Sequence, residues 1–140
     1  MIYTVKTDKA MNLAYYAHHG QNDKSGVPYI FHPIHLAEQM DTEKRTILAL
    51  LHDVIEDTSI TFFQIEKMFG KDIVESLSLL THEDDGPYLD YVKKIKTDPD
   101  AKAVKIADMK HNMERLHLLP EDTQKHLKAK YDEAWQVLNF

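Results

Sequence analysis

Residues 48–58, LALLHDVIEDT, decide how this chain reads: an aliphatic run ends in His52-Asp53, and three residues later comes Glu56-Asp57. Ile47, Leu48, Leu51 and Ile55 recur at three- and four-residue spacing, the stripe of a helix that faces a core. His52 stands one turn after Leu48 and borders that stripe, with Asp53 beside it. An unpaired carboxylate near a core costs several kcal/mol, so Asp53 requires a partner: a hydrogen-bonded cation, a capped backbone or a metal ion.

The same anomaly recurs in residues 103–116, AVKIADMKHNMERL, where Val104, Ala107, Asp108, His111, Asn112 and Arg115 share one helix face with Asp108 at its centre. One divalent cation would account for both acids, because it neutralises two carboxylates while accepting imidazole nitrogen. In YIFHP, residues 29–33, His32 stands before Pro33 at a helix entrance and offers a third contributor. His32, His52, Asp53 and Asp108 make a mixed nitrogen and oxygen set that suits Mn, Fe or Zn better than Mg or Ca. Other readings stand beside this one. A buried His is often an ordinary core residue, Asp53 and Asp108 can each pair with Lys or Arg, and Glu56 and Asp57 can mark a polar helix end. Acids at that end oppose the helix dipole, which favours a functional reason for them.

Working outward, apolar residues keep three-four spacing almost throughout and no alternating strand pattern occurs, so the fold expected is all-α, a compact helical bundle. Thr7 or Asp8 is expected to cap a first helix that ends near Gly20, followed by a loop over QNDKSGVPYIFHP. Helices are then expected from about Pro33 to Met40, from Glu43 (capped by Thr42) to about Ile55, from Thr61 to Phe69, and from Lys71 to Leu80. HEDDGP breaks the chain, and further helices span Tyr88 to Lys96, Thr97-Asp98-Pro99 to about Leu116, and Pro120 to near Leu138. Leu127, Tyr131, Trp135 and Leu138 form one side of the last, a core face or a dimer face.

With 140 residues and no Pro- or Ser-rich linker, residues 1–140 are expected to form a single domain. The absence of cysteine excludes disulfides and thiolate ligands, while nine histidines leave ample imidazole. A net charge of -6 without a long Lys/Arg block argues against nucleic acid or anionic membrane as partner. No apolar run is long enough to span a bilayer and the N-terminus lacks a signal-peptide layout, so a cytoplasmic location is expected.

The order His32, His52-Asp53, Glu56-Asp57, Asp108 resembles the HD-domain metal-dependent phosphohydrolases. More narrowly, AHHGQNDKSGVPYIFHP, LALLHDVIEDT and VKIADMKHNM are similar to the hydrolase domain of RelA/SpoT-type proteins, which degrade the alarmone (p)ppGpp. The resemblance covers about Leu13 to Leu116. It implies an all-helical domain that holds one divalent cation, usually Mn, through His32, His52, Asp53 and Asp108, with Glu56 and Asp57 as the catalytic acidic pair. It also implies that Lys24, Tyr29, Asn112 and Arg115 line a pocket for a small-molecule nucleotide. Alarmone synthesis is not expected at this length.

Two positions depart from the family pattern, Asp23 and Met109, where basic residues are common. Lys110 compensates only in part, since it lies on another helix face. The activity expected is 3′-pyrophosphohydrolysis of (p)ppGpp. The alternatives are an HD phosphohydrolase acting on another nucleotide, such as an adenine alarmone or nucleoside phosphate, and a nucleotide-sensing module without turnover. Monomer and homodimer remain equally open.

Overall fold

The computed structural model describes residues 1–82 and 86–140. Its described residues form nine α-helices: α1 (Val5–Ala17), α2 (Phe31–Glu38), α3 (Glu43–Leu51), α4 (Val54–Asp57), α5 (Phe62–Phe69), α6 (Lys71–Leu80), α7 (Tyr88–Ile95), α8 (Pro99–Glu114) and α9 (Glu121–Asn139). Among these residues the one β-type pairing is an isolated bridge between Asn22 and Pro28. The all-α expectation holds. The break expected over HEDDGP lies partly outside the described residues.

Helix α3 is the axis of the molecule. Every residue from Thr46 to Leu51 is buried, so the helix is enclosed on all sides, as expected for one that is apolar around most of its circumference. It packs against α1, α2, α6 and α8. On α1, Ala10 and Ala14 are fully buried, and small side chains of this kind let packed helices approach closely. Fully burying each leucine of this core contributes about 1.5–3 kcal/mol.

The ends of α1 and α2 lie two or three residues from those expected, and two boundaries differ in kind. Helix α1 begins at Val5 with Thr4 as its cap; Thr7 is instead the third helical residue, and the two threonines bond reciprocally in a capping box. The larger difference is that α3 does not run through to Ile55. It stops at Leu51, Asp53 adopts φ -109° and ψ 4°, and a single turn, α4, restarts at Val54. The HD dipeptide therefore sits at a kink between two helices.

Asp98 anchors α8, the other helix that supplies the site. Its carboxylate accepts from the N–H of Asp100 at 2.9 Å, the N–H of Ala101 at 3.2 Å and the hydroxyl of Ser76 at 2.6 Å. Partial burial works to raise this carboxyl, but the Ser76 hydroxyl and the two amides hold it below its ordinary value. Asp98→Ala is expected to cost about 1–2 kcal/mol in urea unfolding at neutral pH. Because the folded value is depressed, that contribution is present above the unfolded pKa and fades as pH falls through the folded one, so parent and variant should converge in acid.

Candidate active site

The loop after α1 is shaped by Asp23, whose Oδ1 accepts from the Ser25 N–H (2.9 Å), the Ser25 hydroxyl (2.8 Å) and the Val27 N–H (3.0 Å). This turn needs Gly26 at φ 87°, a conformation that side chains disfavour. Asp23 Oδ2 meets the Arg115 guanidinium at 2.8 Å, which ties the loop to the end of α8. The acid that departs from the family pattern thus has a structural task. Met109, the other departure, is fully buried in the core. Lys110 lies over the Trp135 ring, 5.9 Å from its centroid.

Between this loop, α2, α4, α8 and α9 lies a cavity of about 680 Å³. Lys24, Tyr29, Asn112 and Arg115 all line it, together with His32, Asp53, Asp57 and Asp108. The stripe on α9 divides: Leu127 and Tyr131 line this cavity, whereas Leu138 is fully buried in the core.

The imidazole and carboxylate groups converge beside this cavity, His32, Asp53 and Asp108 lining it and His52 set behind them. Ligand atoms of His32, His52 and Asp53 all lie within 4.8 Å of one another. Asp108 Oδ1 is 2.8 Å from His32 Nε2 and 3.6 Å from His52 Nε2. Both rings are held from behind. His52 Nδ1 donates to the Ala49 carbonyl at 2.7 Å, and His32 Nδ1 is 2.7 Å from Nδ1 of His111, whose ring stacks on it. Burial and the neighbouring His32 and His35 push His111 down to about 4, which favours the neutral ring that can accept from His32 Nδ1.

With Nδ1 committed, a neutral His52 directs the lone pair of Nε2 at Asp53 Oδ2, 2.9 Å away. That nitrogen is wholly buried and lacks a well-angled hydrogen-bond partner. Two electron-rich atoms so close require a proton or a cation between them. Burial works against a charged His52, yet Asp53 and Asp108 hold its proton well above the ordinary imidazole range. A divalent cation relieves the same confrontation, and metal–donor distances of about 2.0–2.2 Å are within reach of groups this close. The donor set fits a metal.

Tyr29 donates its hydroxyl to Asp53 Oδ2. Burial first, and then Asp53, push the phenol far above its ordinary range, so it stays a donor. Asn112 Nδ2 reaches Asp108 Oδ1 at 3.3 Å, while Lys105 Nζ meets Asp108 Oδ2 at 3.1 Å. Burial would raise Asp108, but Lys105, His32 and His52 hold it well below the carboxylate range. Lys105 was legible: it lies three residues before Asp108, a spacing that brings side chains together on a helix. His18 and Gln21 also escaped the sequence reading. The His18 ring meets Gln21 Oε1 at 3.0 Å, and Gln21 Nε2 donates to the Asp57 carbonyl at 2.9 Å, bracing α4.

The acidic pair is split. Asp57 faces the large cavity, whereas Glu56 faces a smaller one on the far side of Asp53 and Asp108 and accepts from the His82 N–H. Both carboxyls are raised, chiefly by burial and then, through charge repulsion, by Asp53; Asp57 further raises Glu56.

Residues 10–139 match a family model described as HD domain. The chain is 32% identical over 137 residues to the bifunctional (p)ppGpp synthase/hydrolase SpoT of Escherichia coli K12, an alignment covering 87% of this chain and 20% of that one. It is 35% identical over 131 residues to a guanosine-3′,5′-bis(diphosphate) 3′-pyrophosphohydrolase of Borreliella burgdorferi, covering 83% of this chain and 20% of the relative. It therefore spans about a fifth of the length of these curated relatives. A solved structure, described as a metazoan ortholog of SpoT that hydrolyzes ppGpp and plays a role in starvation responses, shares the fold with a TM-score of 0.84 at 22% identity, over 99% of this chain and 88% of that one.

Proposed function

The chain belongs to the HD-domain family, and on that premise we propose that it is a metal-dependent phosphohydrolase that removes pyrophosphate from the 3′ position of (p)ppGpp. The observation that carries this reading is the convergence of His32, His52, Asp53 and Asp108 beside a nucleotide-sized cavity that His32, Asp53 and Asp108 line. The names of the relatives supply the substrate class. We take residues 1–140 as one catalytic domain, since a single apolar core runs from α1 to α9. None of the helices among the described residues is long and apolar enough to cross a membrane, and we place the enzyme in the cytoplasm.

In this reading His32, His52, Asp53 and Asp108 hold one divalent cation, with Mn²⁺ our choice for a mixed imidazole and carboxylate set. A cation there supplies Lewis-acid polarisation of a phosphoryl oxygen and a lowered pKa for water. The protein's own groups do the rest. Tyr29 fixes the Asp53 carboxylate, and Lys105 and Asn112 fix that of Asp108. Lys24, Tyr29, Asn112 and Arg115 receive the nucleotide. In-line displacement puts attacking water and leaving oxygen on opposite sides of the phosphorus. With the nucleoside in the large cavity, Glu56 accepts the proton of the attacking water and Asp57 returns one to the ribose 3′ oxygen.

Incubation of ppGpp with the Mn²⁺-loaded chain should release pyrophosphate and GDP in equal amounts, resolved from phosphate by anion exchange. Failure to release pyrophosphate would overturn this reading. One observation favours a second: Asp23 pairs with Arg115 and so offsets the charge of a cation that lines the large cavity, which suits a less highly charged nucleotide. An adenine alarmone or nucleoside phosphate turned over in preference to ppGpp would decide for it. A nucleotide sensor would bind ppGpp and leave it intact.

A further inference from the structure

The small cavity beyond Asp53 and Asp108 has a volume of about 200 Å³ and is lined by Glu56, Tyr88, Tyr91, Lys105 and Lys130 as well as those two acids. It shares Asp53 and Asp108 with the large cavity, so the candidate metal site forms the partition between them. Drug-sized ligands occupy roughly 300–1,000 Å³. A nucleoside does not fit here, but a small inorganic anion does.

Two lysines, Lys105 and Lys130, meet three acids, Asp53, Glu56 and Asp108, in its lining. Lys105 comes from α8, with Nζ 5.7 Å from the Tyr88 ring centroid and 5.4 Å from that of Tyr91. Lys130 reaches in from the exposed face of α9, its Nζ 4.2 Å from the Tyr88 centroid. Two ammonium groups from different helices therefore meet at one aromatic ring. Lys105 has Asp108 as its partner, but among the described residues no carboxylate pairs with Lys130. Partial burial first, then repulsion from Lys105 and Lys24, lowers the Lys130 ammonium below its usual range. A polyvalent anion between these lysines would remove that repulsion, and it would lie beside the group that the partition holds.

We propose that this second cavity is an anion subsite that receives inorganic pyrophosphate, with Lys130 as its outer ligand and Lys105 as its inner one. The inference rests on the pyrophosphohydrolase reading for the origin of that anion. When water attacks the 3′-linked phosphorus, a water-oxygen to phosphorus bond forms and the bond from phosphorus to the ribose 3′ oxygen breaks. The electron pair stays on the 3′ oxygen, which takes up a proton, and the pyrophosphate keeps the oxygen of the water. GDP then lies in the large cavity and pyrophosphate in the small one, so each product can leave by its own opening.

The test uses calorimetric titration of pyrophosphate into the full, Mn²⁺-loaded chain, with GMP as a probe of the large cavity. Lys130→Met should weaken pyrophosphate binding by about tenfold or more, while GMP affinity changes by less than about twofold. Lys110→Met removes the same charge over Trp135 and should leave both affinities at the parental value. Lys130 is exposed, so its replacement leaves the core intact. Equal pyrophosphate affinity in the parent and Lys130→Met overturns the subsite, and if ppGpp is still hydrolysed the function stands without it. Conversely, Lys130-dependent pyrophosphate binding in a chain that leaves ppGpp intact would keep the anion subsite and remove the pyrophosphohydrolase reading.

Discussion

Asp108→Asn is expected to reduce pyrophosphate release by at least about a thousandfold, roughly 4 kcal/mol at 1.36 kcal/mol per decade, and to lower the divalent-cation content that survives dialysis. Asp108 touches His32 Nε2 at 2.8 Å, His52 Nε2 at 3.6 Å, Lys105 Nζ at 3.1 Å and Asn112 Nδ2 at 3.3 Å. Asparagine keeps the shape but removes the charge that both the cation and Lys105 need. Lys105 would lose its paired counter-charge in a buried position, so stability should also fall, by about 3–5 kcal/mol in urea unfolding. The double variant Lys105→Met with Asp108→Asn separates the two effects. Removing both partners of a buried pair is often nearly neutral, so stability should return while turnover stays lost. Parental turnover and metal content in Asp108→Asn would remove Asp108 from the proposed ligand set.

Much of this arrangement was legible because the groups that converge are repeated on short, periodic segments. The caps Thr42 and Thr61, and Asp98 before Pro99, lie where the residue types predict them. The kink at His52-Asp53 was not legible, since Ile55 falls four residues after Leu51 and the apolar period runs on undisturbed. The break goes with side-chain bonds to the backbone that the apolar period does not encode: His52 turns its ring onto the Ala49 carbonyl, and Thr58 bonds to the Val54 carbonyl at 2.6 Å, closing α4 after one turn. Thr4 was missed for a different reason. In a reciprocal capping box both threonines are sound cap candidates, and only the backbone of Thr4, extended at φ -136°, identifies the cap. Lys130 had no local signal at all. It meets Tyr88 because α7 and α9 pack together, a long-range contact that spacing along one helix does not encode.

The split of Glu56 from Asp57 leads to the second large effect. Successive helical residues are about 100° apart, so adjacent acids on α4 point in different directions and into different cavities. Two carboxylates on opposite sides of a reacting phosphorus can serve as base and acid, whereas two on the same side cannot divide the work in this way. Glu56→Gln and Asp57→Asn should each reduce kcat by about 10²–10⁴-fold, the usual contribution of a positioned proton-transfer group. Their pH profiles should differ. In the parent, kcat/KM should fall in acid as Glu56 gains a proton, and that limb should lie above the ordinary carboxylate range because burial and nearby acids raise Glu56. Donation from Asp57 requires that it keep its proton once Glu56 has lost its own, so a second limb at higher pH should mark the loss of the Asp57 proton. Glu56→Gln should therefore flatten the acid limb and Asp57→Asn the alkaline one, with cation content and urea midpoint close to those of the parent. If the limbs disappear in the reverse order, the two roles are exchanged and water attacks from the large cavity. If both variants keep the parental profile and rate, neither carboxylate moves the proton, and the split pair only shapes the partition between the two cavities.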